Sequence, residues 1–427
     1  AVFAGRGDAA ATQTRQARQL HAALRAQRYS GELHFLDIES SGTLGDLARS
    51  RADLAVIALP PPDIAAALEL AARMGCRAAL IVGSGIAAEQ ATALKSLARR
   101  EGIALLGPNS LGLQRPALQL NAGVFGPLAA SGPLALVCQS GALTVAMLDW
   151  AKHNGVGFSS VVSVGAHTGI DIAEALDFLA TDARTHSIIV YMEGIASARR
   201  FISALRTAAY SKPVVVLKSG RRADGNAAAQ THSGAIVGSD EVFDAALRRA
   251  GAVRVRSFVE LFSAAKCLAS RYRPVGRRLG IITNGGGAGV LAADYVNELA
   301  LQLGVLSDEN ARTLAPLVPK AASLTDLIDL SEDATPEHYK AALEIAAKDR
   351  QLDGVLVIYS PKFGGDAEAV ARELVQIKPR MSKPLVACWM GDSSVQPARH
   401  ALAEAQIPSF RTPEAAVGAF GNIASFY

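Results

Sequence analysis

The chain has 427 residues, half of them hydrophobic but only 5% aromatic, and its formal net charge of +4 includes no block of basic residues. This length exceeds one ordinary domain and predicts two to four. The spread of charge gives no indication of nucleic-acid or membrane-surface binding, and apolar runs such as Leu54–Leu59 have strand length, far short of a membrane span. The four cysteines are scattered without metal-ligand spacing, which favours buried, reduced thiols in a cytoplasmic protein.

The start of the chain is typical of a fragment. It begins at Ala1 without a Met and directly in a strand-like Ala-Val-Phe segment. No secretory signal peptide is visible. We therefore expect a cytoplasmic protein of which this chain is a piece.

Short β-branched runs alternate with alanine-rich helical segments from end to end, which is typical of α/β domains with mainly parallel sheets. Glycine and proline at 131–133 and a basic stretch at 271–278 divide this pattern. We predict three consecutive Rossmann-like or flavodoxin-like domains, at residues 1–126, 127–272 and 273–427. The predicted strands are Ala1–Ala4, Glu32–Asp37, Leu54–Leu59, Ala78–Val82, Ala104–Leu106, Leu134–Cys138, Ser159–Val164, Ser187–Met192, Val214–Lys218, Leu279–Thr283, Gly354–Tyr359 and Pro384–Trp389.

Two predicted strands are each followed by a turn of small residues and then by a helix. Leu134–Cys138 leads into Gln139-Ser140-Gly141-Ala142, and Leu279–Thr283 leads into Asn284–Gly289. Each following helix would point its free N–H groups past the carboxyl edge of a sheet, a geometry that binds phosphate. The alternative is a tight turn whose glycines serve only the packing of helix against sheet.

The segment Ala223–Asp240 follows a strand and has no bulky side chain before Ile236, so we predict a mobile loop. A neutral imidazole at His232 in this loop can attack a phosphoryl group, and a swinging loop can carry the product elsewhere. Such a histidine needs an acceptor for its other ring nitrogen, and Glu193, directly after the strand Ser187–Met192, is the best-placed carboxylate. The alternatives are a solvated surface histidine and an ordinary carboxylate at a strand end.

Five segments of the chain resemble the NDP-forming (ADP-forming) acyl-CoA synthetases. Thr231–Asp240 resembles the phosphohistidine loop of ADP-forming acetyl-CoA synthetases, and Val190–Ile195 resembles the strand whose glutamate steadies that histidine. Gly107–Gly112 resembles the turn that closes the family's CoA-binding domain. Gln139–Ala142 and Thr283–Gly289 resemble its two phosphate-facing helix starts. The resemblance covers nearly the whole chain, in the family's order of a CoA-binding domain and two ligase-CoA domains, and succinyl-CoA synthetase is a more distant relative.

The resemblance implies an acid–CoA ligase in which His232 and Glu193 are catalytic. Phosphate attacks an acyl-CoA thioester, CoA leaves, His232 takes the phosphoryl group, and an ATP-grasp module binding Mg and ADP receives it. The residues implied for phosphate binding are Ser140, Gly141, Ala142, Gly287, Ala288 and Gly289. Those implied for CoA binding are Gly5, Gly7, Leu59, Pro60, Gly83, Ser84, Gly85 and Asn109, and no metal ligand is implied in this chain.

The chain departs from the family's pattern mainly in its first domain. The glycine-rich CoA loop after the first strand keeps only Gly5 and Gly7, and Asp37-Ile38 replaces the usual Asn-Pro. In the third domain, Asp329 is kept without the Asn-Pro that usually precedes it. The histidine machinery keeps the family's pattern.

Two alternatives to this enzyme remain from the sequence. The architecture also resembles the N-terminal region of Pat-type protein lysine acetyltransferases, which would make the chain an acyl-CoA-sensing region fused to a GNAT domain. His232 favours the enzyme, and the eroded CoA loop favours the sensor. A Rossmann-type dehydrogenase is the third reading, but the chain lacks an intact G-x-G-x-x-G after its first strand.

The expected partners also follow from the resemblance. No ATP-grasp sequence is present in the chain, so we expect it to need this module as a separate subunit or domain. A homodimer rests on family analogy alone.

Overall fold

A computed structural model describes residues 1–5, 15–37, 51–83, 85–165, 169–222, 225, 239–269 and 276–424. The chain forms two compact units. The first consists of Ala1–Lys152 with Gly157–Ala252, and the second of His153–Val156 with Val253–Tyr427. The described strands are mostly parallel and alternate with helices, so the predicted α/β class is confirmed.

The first sheet is parallel, in the strand order β2-β1-β3-β4-β5. Its elements are β1 (Val2–Gly5), α1 (Arg15–Arg25), β2 (Phe35–Asp37), β3 (Leu54–Ile57), α2 (Ile64–Arg73), β4 (Ala78–Val82), α3 (Ala88–Arg100) and β5 (Ala104–Ser110). Successive residues of β3 point to opposite faces, so Ala55 and Ile57 pack with α2 and α3 while Val56 packs with Leu20 of α1. Because helices cover both faces, the strands are continuous apolar runs, as the sequence indicated.

Six strands of the second sheet lie in the first unit, in the order β11-β10-β8-β9-β6-β7. Strands β6 and β7 form an antiparallel hairpin at one edge, and the remaining pairs within β8 to β11 are parallel. The elements are β6 (Gly112–Arg115), β7 (Leu120–Gly123), β8 (Ser131–Cys138), α4 (Gly141–His153), β9 (Phe158–Ser163), α5 (Ile172–Thr181), β10 (Ser187–Met192), α6 (Ala198–Ser211), β11 (Val214–Lys218) and α7 (Asp240–Ala250).

The third sheet lies in the second unit, in the order β14-β13-β16-β17-β18, with β15 paired to β13. Trp389 and Tyr339 are fully buried in its core, where their polar atoms donate to the carbonyl oxygens of Ala367 and Ile358 at 3.1 Å each. The elements of the second unit are β12 (Val253–Val255), α8 (Phe258–Ala269), β13 (Arg278–Thr283), α9 (Gly286–Glu298), β14 (Gln302–Gly304), α10 (Asp308–Leu314), β15 (Ile328–Asp329), α11 (Pro336–Lys348), β16 (Gly354–Tyr359), α12 (Ala367–Ile377), β17 (Leu385–Trp389), α13 (Gln396–Glu404), β18 (Ser409–Phe410) and α14 (Pro413–Ala424).

Each strand predicted from the sequence corresponds to a strand of the structure, with ends that differ by a few residues. The sequence did not predict the β6–β7 hairpin or the short strands β12, β14, β15 and β18. The hairpin precedes residue 126, the predicted end of the first domain, yet it pairs with β9 of the second sheet. The bounds of the three predicted domains stay predictions. None of the described helices combines the length and apolar character that a membrane-spanning segment needs.

A turn at the end of β5 joins the first sheet to the second. The Ser110 hydroxyl donates to the carbonyl oxygen of Ser163 at 2.6 Å and accepts from the Gly112 N–H at 2.9 Å. Directly behind this turn, a Cβ on Gly165 would overlap the carbonyl oxygen of Asn109. The glycine at 165 is therefore required by the close approach of two backbones.

We expect Gly165→Ala to destabilise the first unit by about 2–3 kcal/mol, because the added carbon has only backbone to displace. The measurement is the midpoint of thermal unfolding followed by circular dichroism. Gly418→Ala is the matched control. It lies inside α14 with its nearest neighbour at an ordinary 3.7 Å, and we expect it to stabilise by up to about 1 kcal/mol. An unchanged midpoint for Gly165→Ala would contradict the close approach.

Candidate functional site

The carboxyl ends of β8, β10 and β11 lie side by side at one edge of the second sheet, because the three strands are adjacent and parallel. Gln139 and Ser140 follow β8, Glu193 follows β10, and Ser219 follows β11. The structure therefore brings the predicted catalytic carboxylate to the same edge as one predicted phosphate-binding turn.

Gln139 joins two of these strand ends through its side-chain amide. Its Oε1 accepts from the backbone N–H of Glu193 at 2.6 Å and from that of Gly194 at 3.2 Å. Its Nε2 donates to the carbonyl oxygen of Gly194 at 2.9 Å. Its backbone N–H donates to the carbonyl oxygen of Tyr191 at 3.1 Å. One residue thus binds every peptide unit that follows β10 up to Gly194.

Glu193 is almost fully buried, with 8% of its surface exposed. Tyr191 lies two residues earlier, on β10, and its phenol is close enough to the Glu193 carboxylate for the two groups to interact electrostatically. Burial, together with the nearby charge of Glu193, raises the pKa of Tyr191, so the phenol is neutral at physiological pH. A buried glutamate whose backbone is fixed by Gln139 is suited to orient a histidine.

The start of α4 leaves two donors open. The Ser140 hydroxyl accepts from the Leu143 N–H at 3.3 Å and so caps the helix. The N–H groups of Gly141 and Ala142 have no hydrogen-bond partner among the residues that the structure describes. A Cβ on Gly141 would lie 2.9 Å from the Leu111 side chain, which explains the glycine. Two open donors at a helix N-terminus attract an anion such as phosphate.

The start of α9 in the second unit has the same form. Gly287 and Ala288 lie in its first turn, and their N–H groups also have no partner within the described ranges. The Gly289 N–H instead donates to the carbonyl oxygen of Gly285 at 3.2 Å, inside the helix. A Cβ on Gly289 would lie 2.8 Å from Leu327, so this glycine serves packing. The available donors for an anion are those of the first turn.

An amide side chain also holds the strand end beside α9. Asn284 directly follows β13 and is 3% exposed. Its Oδ1 accepts from the Ser360 N–H at 2.8 Å, and its Nδ2 donates to the Ser360 carbonyl oxygen at 2.9 Å. Ser360 follows β16, the strand next to β13. Asn284 in the third sheet therefore does what Gln139 does in the second.

The described residues predicted to bind CoA lie at the carboxyl edge of the first sheet, after strands β1, β3, β4 and within the end of β5: Gly5, Leu59, Pro60, Gly83, Gly85 and Asn109. The Asn109 amide accepts from the N–H of Ile86 and donates to its carbonyl oxygen, both at 3.0 Å. This third amide fixes the segment that follows β4. Whether this edge binds CoA stays a prediction.

Three of the predicted site residues, Gly7, Ser84 and His232, lie outside the described residues. The predicted loop at 223–240 lies almost wholly outside them as well. Within the described parts, no group of three or more His, Cys, Asp or Glu side chains could hold a metal ion.

Sequence reasoning missed the role of Gln139 in holding the backbone of Glu193, and the position of Tyr191 near the carboxylate. A signal for Gln139 was present, since a long amide directly after a buried strand, before a turn of small residues, recurs as Asn284. Tyr191 carried no such signal, because an aromatic residue in a strand is ordinarily part of the core.

Two family models match the chain. Residues 131–268 match the succinyl-CoA ligase like flavodoxin domain, and residues 279–425 match the ligase-CoA domain.

Full-length relatives extend this similarity. The chain is 34% identical over 380 residues to acetate–CoA ligase [ADP-forming] I of Archaeoglobus fulgidus, covering 88% of this chain and 54% of the relative. It therefore spans about half the length of that ligase. It is 35% identical over 384 residues to subunit alpha of acetate–CoA ligase [ADP-forming] I of Pyrococcus furiosus, covering 87% of this chain and 82% of the subunit.

A solved structure is also similar to this chain. The dinucleotide forming acetyl-coenzyme A synthetase 1 of Ca. Korarchaeum cryptofilum, in complex with phosphate and ADP, superposes with a TM-score of 0.92 at 27% identity. The match covers all of this chain and 94% of that one.

We expect the thiols of the native chain to be inert. All four cysteines are buried. Burial raises the pKa of Cys138, beside the candidate site, to about 11, and those of Cys267 and Cys388 to about 12. A raised pKa keeps a thiol neutral, so the nucleophilic thiolate is scarce at pH 8. Titration with a disulfide reagent should find almost no fast-reacting thiol in the native chain and four in denaturant. One fast thiol in the native chain would contradict this.

Proposed function

We propose that this chain, which belongs to the family of the ADP-forming acetate–CoA ligases, performs the acyl-CoA-dependent half of their reaction. The observation that carries this proposal is the hydrogen bonding of the Gln139 amide, just before α4, to the backbone of Glu193 and Gly194. A buried carboxylate that can orient a histidine and a helix start with open N–H donors are joined by the amide of Gln139.

In the first step, a phosphate oxygen attacks the carbonyl carbon of an acyl-CoA thioester. The new C–O bond forms, the C–S bond breaks, and CoA leaves as a thiolate that takes up a proton. The open N–H groups of Gly141 and Ala142 hold the phosphate and balance the negative charge that develops. CoA would lie along the carboxyl edge of the first sheet, beside Asn109 and the segment that it fixes.

In the second step, a ring nitrogen of His232 attacks the phosphorus of the acyl phosphate. The P–N bond forms, the P–O bond to the acyl group breaks, and the carboxylate of the acid leaves. Glu193 accepts a hydrogen bond from the N–H of the other ring nitrogen and stabilises the positive charge on the ring.

The phosphoryl group would then pass to ADP on an ATP-grasp domain or subunit, which supplies the Mg²⁺ that neutralises the nucleotide phosphates. Two observations support this partner. One relative is named as a subunit alpha, and the match covers 54% of the longer A. fulgidus ligase. The homodimer stays a prediction. Nothing in the described structure or in the similar proteins named above supports the acetyltransferase-fused sensor, and we do not propose it.

Labelled inorganic phosphate tests the proposal directly. Incubated with a panel of acyl-CoAs, the chain should gain protein-bound label that is stable in alkali and labile in acid. His232→Ala should abolish it, because the accepting nitrogen is gone. His400→Ala is the matched control and should label like the parent, since the His400 side chain is 74% exposed on α13 and contacts Glu404, which is not a predicted site residue. No label on the parent with any acyl-CoA would refute the proposed function.

The role of Glu193 has its own test. Glu193→Gln keeps the size of the side chain but removes the charge that orients and stabilises the imidazole. We expect the rate of phosphate capture to fall on the order of 100-fold or more, by analogy with orienting carboxylates elsewhere. Glu404→Gln, at an exposed position, is the control and should leave the rate unchanged. Rapid-quench labelling at saturating acyl-CoA measures both, and an equal rate for Glu193→Gln would refute this role.

A further inference from the structure

The amide of Gln139 makes contacts that go beyond those of a turn. It accepts from two consecutive N–H groups, of Glu193 and Gly194, and donates to the carbonyl oxygen of Gly194. The same residue immediately precedes Ser140, which caps α4. The Gln139 side chain therefore links the backbone that carries Glu193 to the start of α4, where the N–H groups of Gly141 and Ala142 are open.

The direction of a side chain follows from its backbone and the rotamers that the backbone allows. If the peptide units at Glu193 and Gly194 lost their acceptor, they could rotate toward other partners, because buried N–H groups seldom stay unpaired. The Glu193 carboxylate would then move with its backbone, away from its position near the Tyr191 phenol. The amide is thus placed to act on the carboxylate without touching any reacting atom.

Gln114 provides a matched comparison within the same unit. Its amide is fully buried, donates to the Asn121 side chain and to the Pro127 carbonyl oxygen at 3.0 Å each, and accepts from the Ala129 N–H at 3.1 Å. These bonds hold the β6–β7 hairpin. Gln114 and Gln139 therefore make equal numbers of amide hydrogen bonds, but only Gln139 reaches the carboxyl ends of β8 and β10.

We propose that Gln139 is a positioning residue for phosphoryl transfer, which sets the Glu193 carboxylate relative to the phosphate-binding start of α4. This inference rests on the proposed function. It assigns Gln139 an effect on the rate of the chemical step rather than on the binding of phosphate or acyl-CoA.

The test compares Gln139→Met and Gln114→Met with the parent chain. Methionine has nearly the shape of glutamine but cannot make the amide hydrogen bonds. Rapid-quench labelling with inorganic phosphate and the productive acyl-CoA gives the first-order rate of capture and the half-saturating phosphate concentration. Urea unfolding gives the stability of each variant, and hydrogen exchange gives the protection of the peptide that contains Glu193 and Gly194.

For Gln139→Met we expect the rate per folded molecule to fall on the order of 10- to 100-fold, with half-saturating phosphate within about threefold of the parent. The Glu193–Gly194 peptide should exchange faster. For Gln114→Met we expect a similar loss of stability but a rate within about twofold of the parent.

Other results of this test would contradict the positioning role in different ways. A parental rate for Gln139→Met, in a parent chain that labels, would overturn the positioning role and leave the proposed function intact. Equal losses of rate in both variants, in proportion to their stability, would make Gln139 structural only and would also overturn the inference. A parent chain that incorporates no label would overturn both the proposed function and the positioning role.

Discussion

Backbone groups beyond the carboxyl end of a parallel strand have no ladder partner, and this constraint organises every edge that bears a predicted site residue. In each of the three sheets, one amide side chain supplies the missing hydrogen-bond partners. Asn109 binds both polar groups of Ile86, Gln139 binds those of Gly194, and Asn284 binds those of Ser360. An amide suits this purpose because it carries a donor and an acceptor side by side, in the spacing of a peptide unit.

The same use of an amide side chain affects which backbone N–H groups remain available to an anion. Gln139 occupies the N–H groups of Glu193 and Gly194, whereas in the described part of the chain those of Gly141 and Ala142 at the start of α4 have no partner. A helix start adds its dipole to its donors, so it is the better place for phosphate. Glu193 meanwhile is held through its backbone by Gln139. The proposed phosphate contact and the proposed orienting carboxylate therefore belong to different groups at one edge.

Much of the fold could be predicted from the sequence, because period and composition report burial directly. Strands such as β10 and β16 are covered by helices on both faces and so are uninterrupted apolar runs. The β6–β7 hairpin could not be predicted in this way. Its strand β6 pairs with β9, where Leu113 lies opposite Val162, 49 residues later in the chain. Its partly polar sequence includes the buried Gln114, whose burial depends on partners that the tertiary structure brings together.

The sequence by itself determined the α/β class, the order of the strands along the chain and the position of Glu193 at a strand end. These follow from local patterns, since a polar residue after a buried run of β-branched residues must lie where the strand ends. Only the tertiary structure decided which strand ends are neighbours and that Gln139 binds the backbone of Glu193. It also decided that Gly289 packs against Leu327, whereas the space beside Gly287 is open. The physical reason is that strand order and hydrogen-bond partners join residues more than 50 positions apart, and no local pattern records such a pairing.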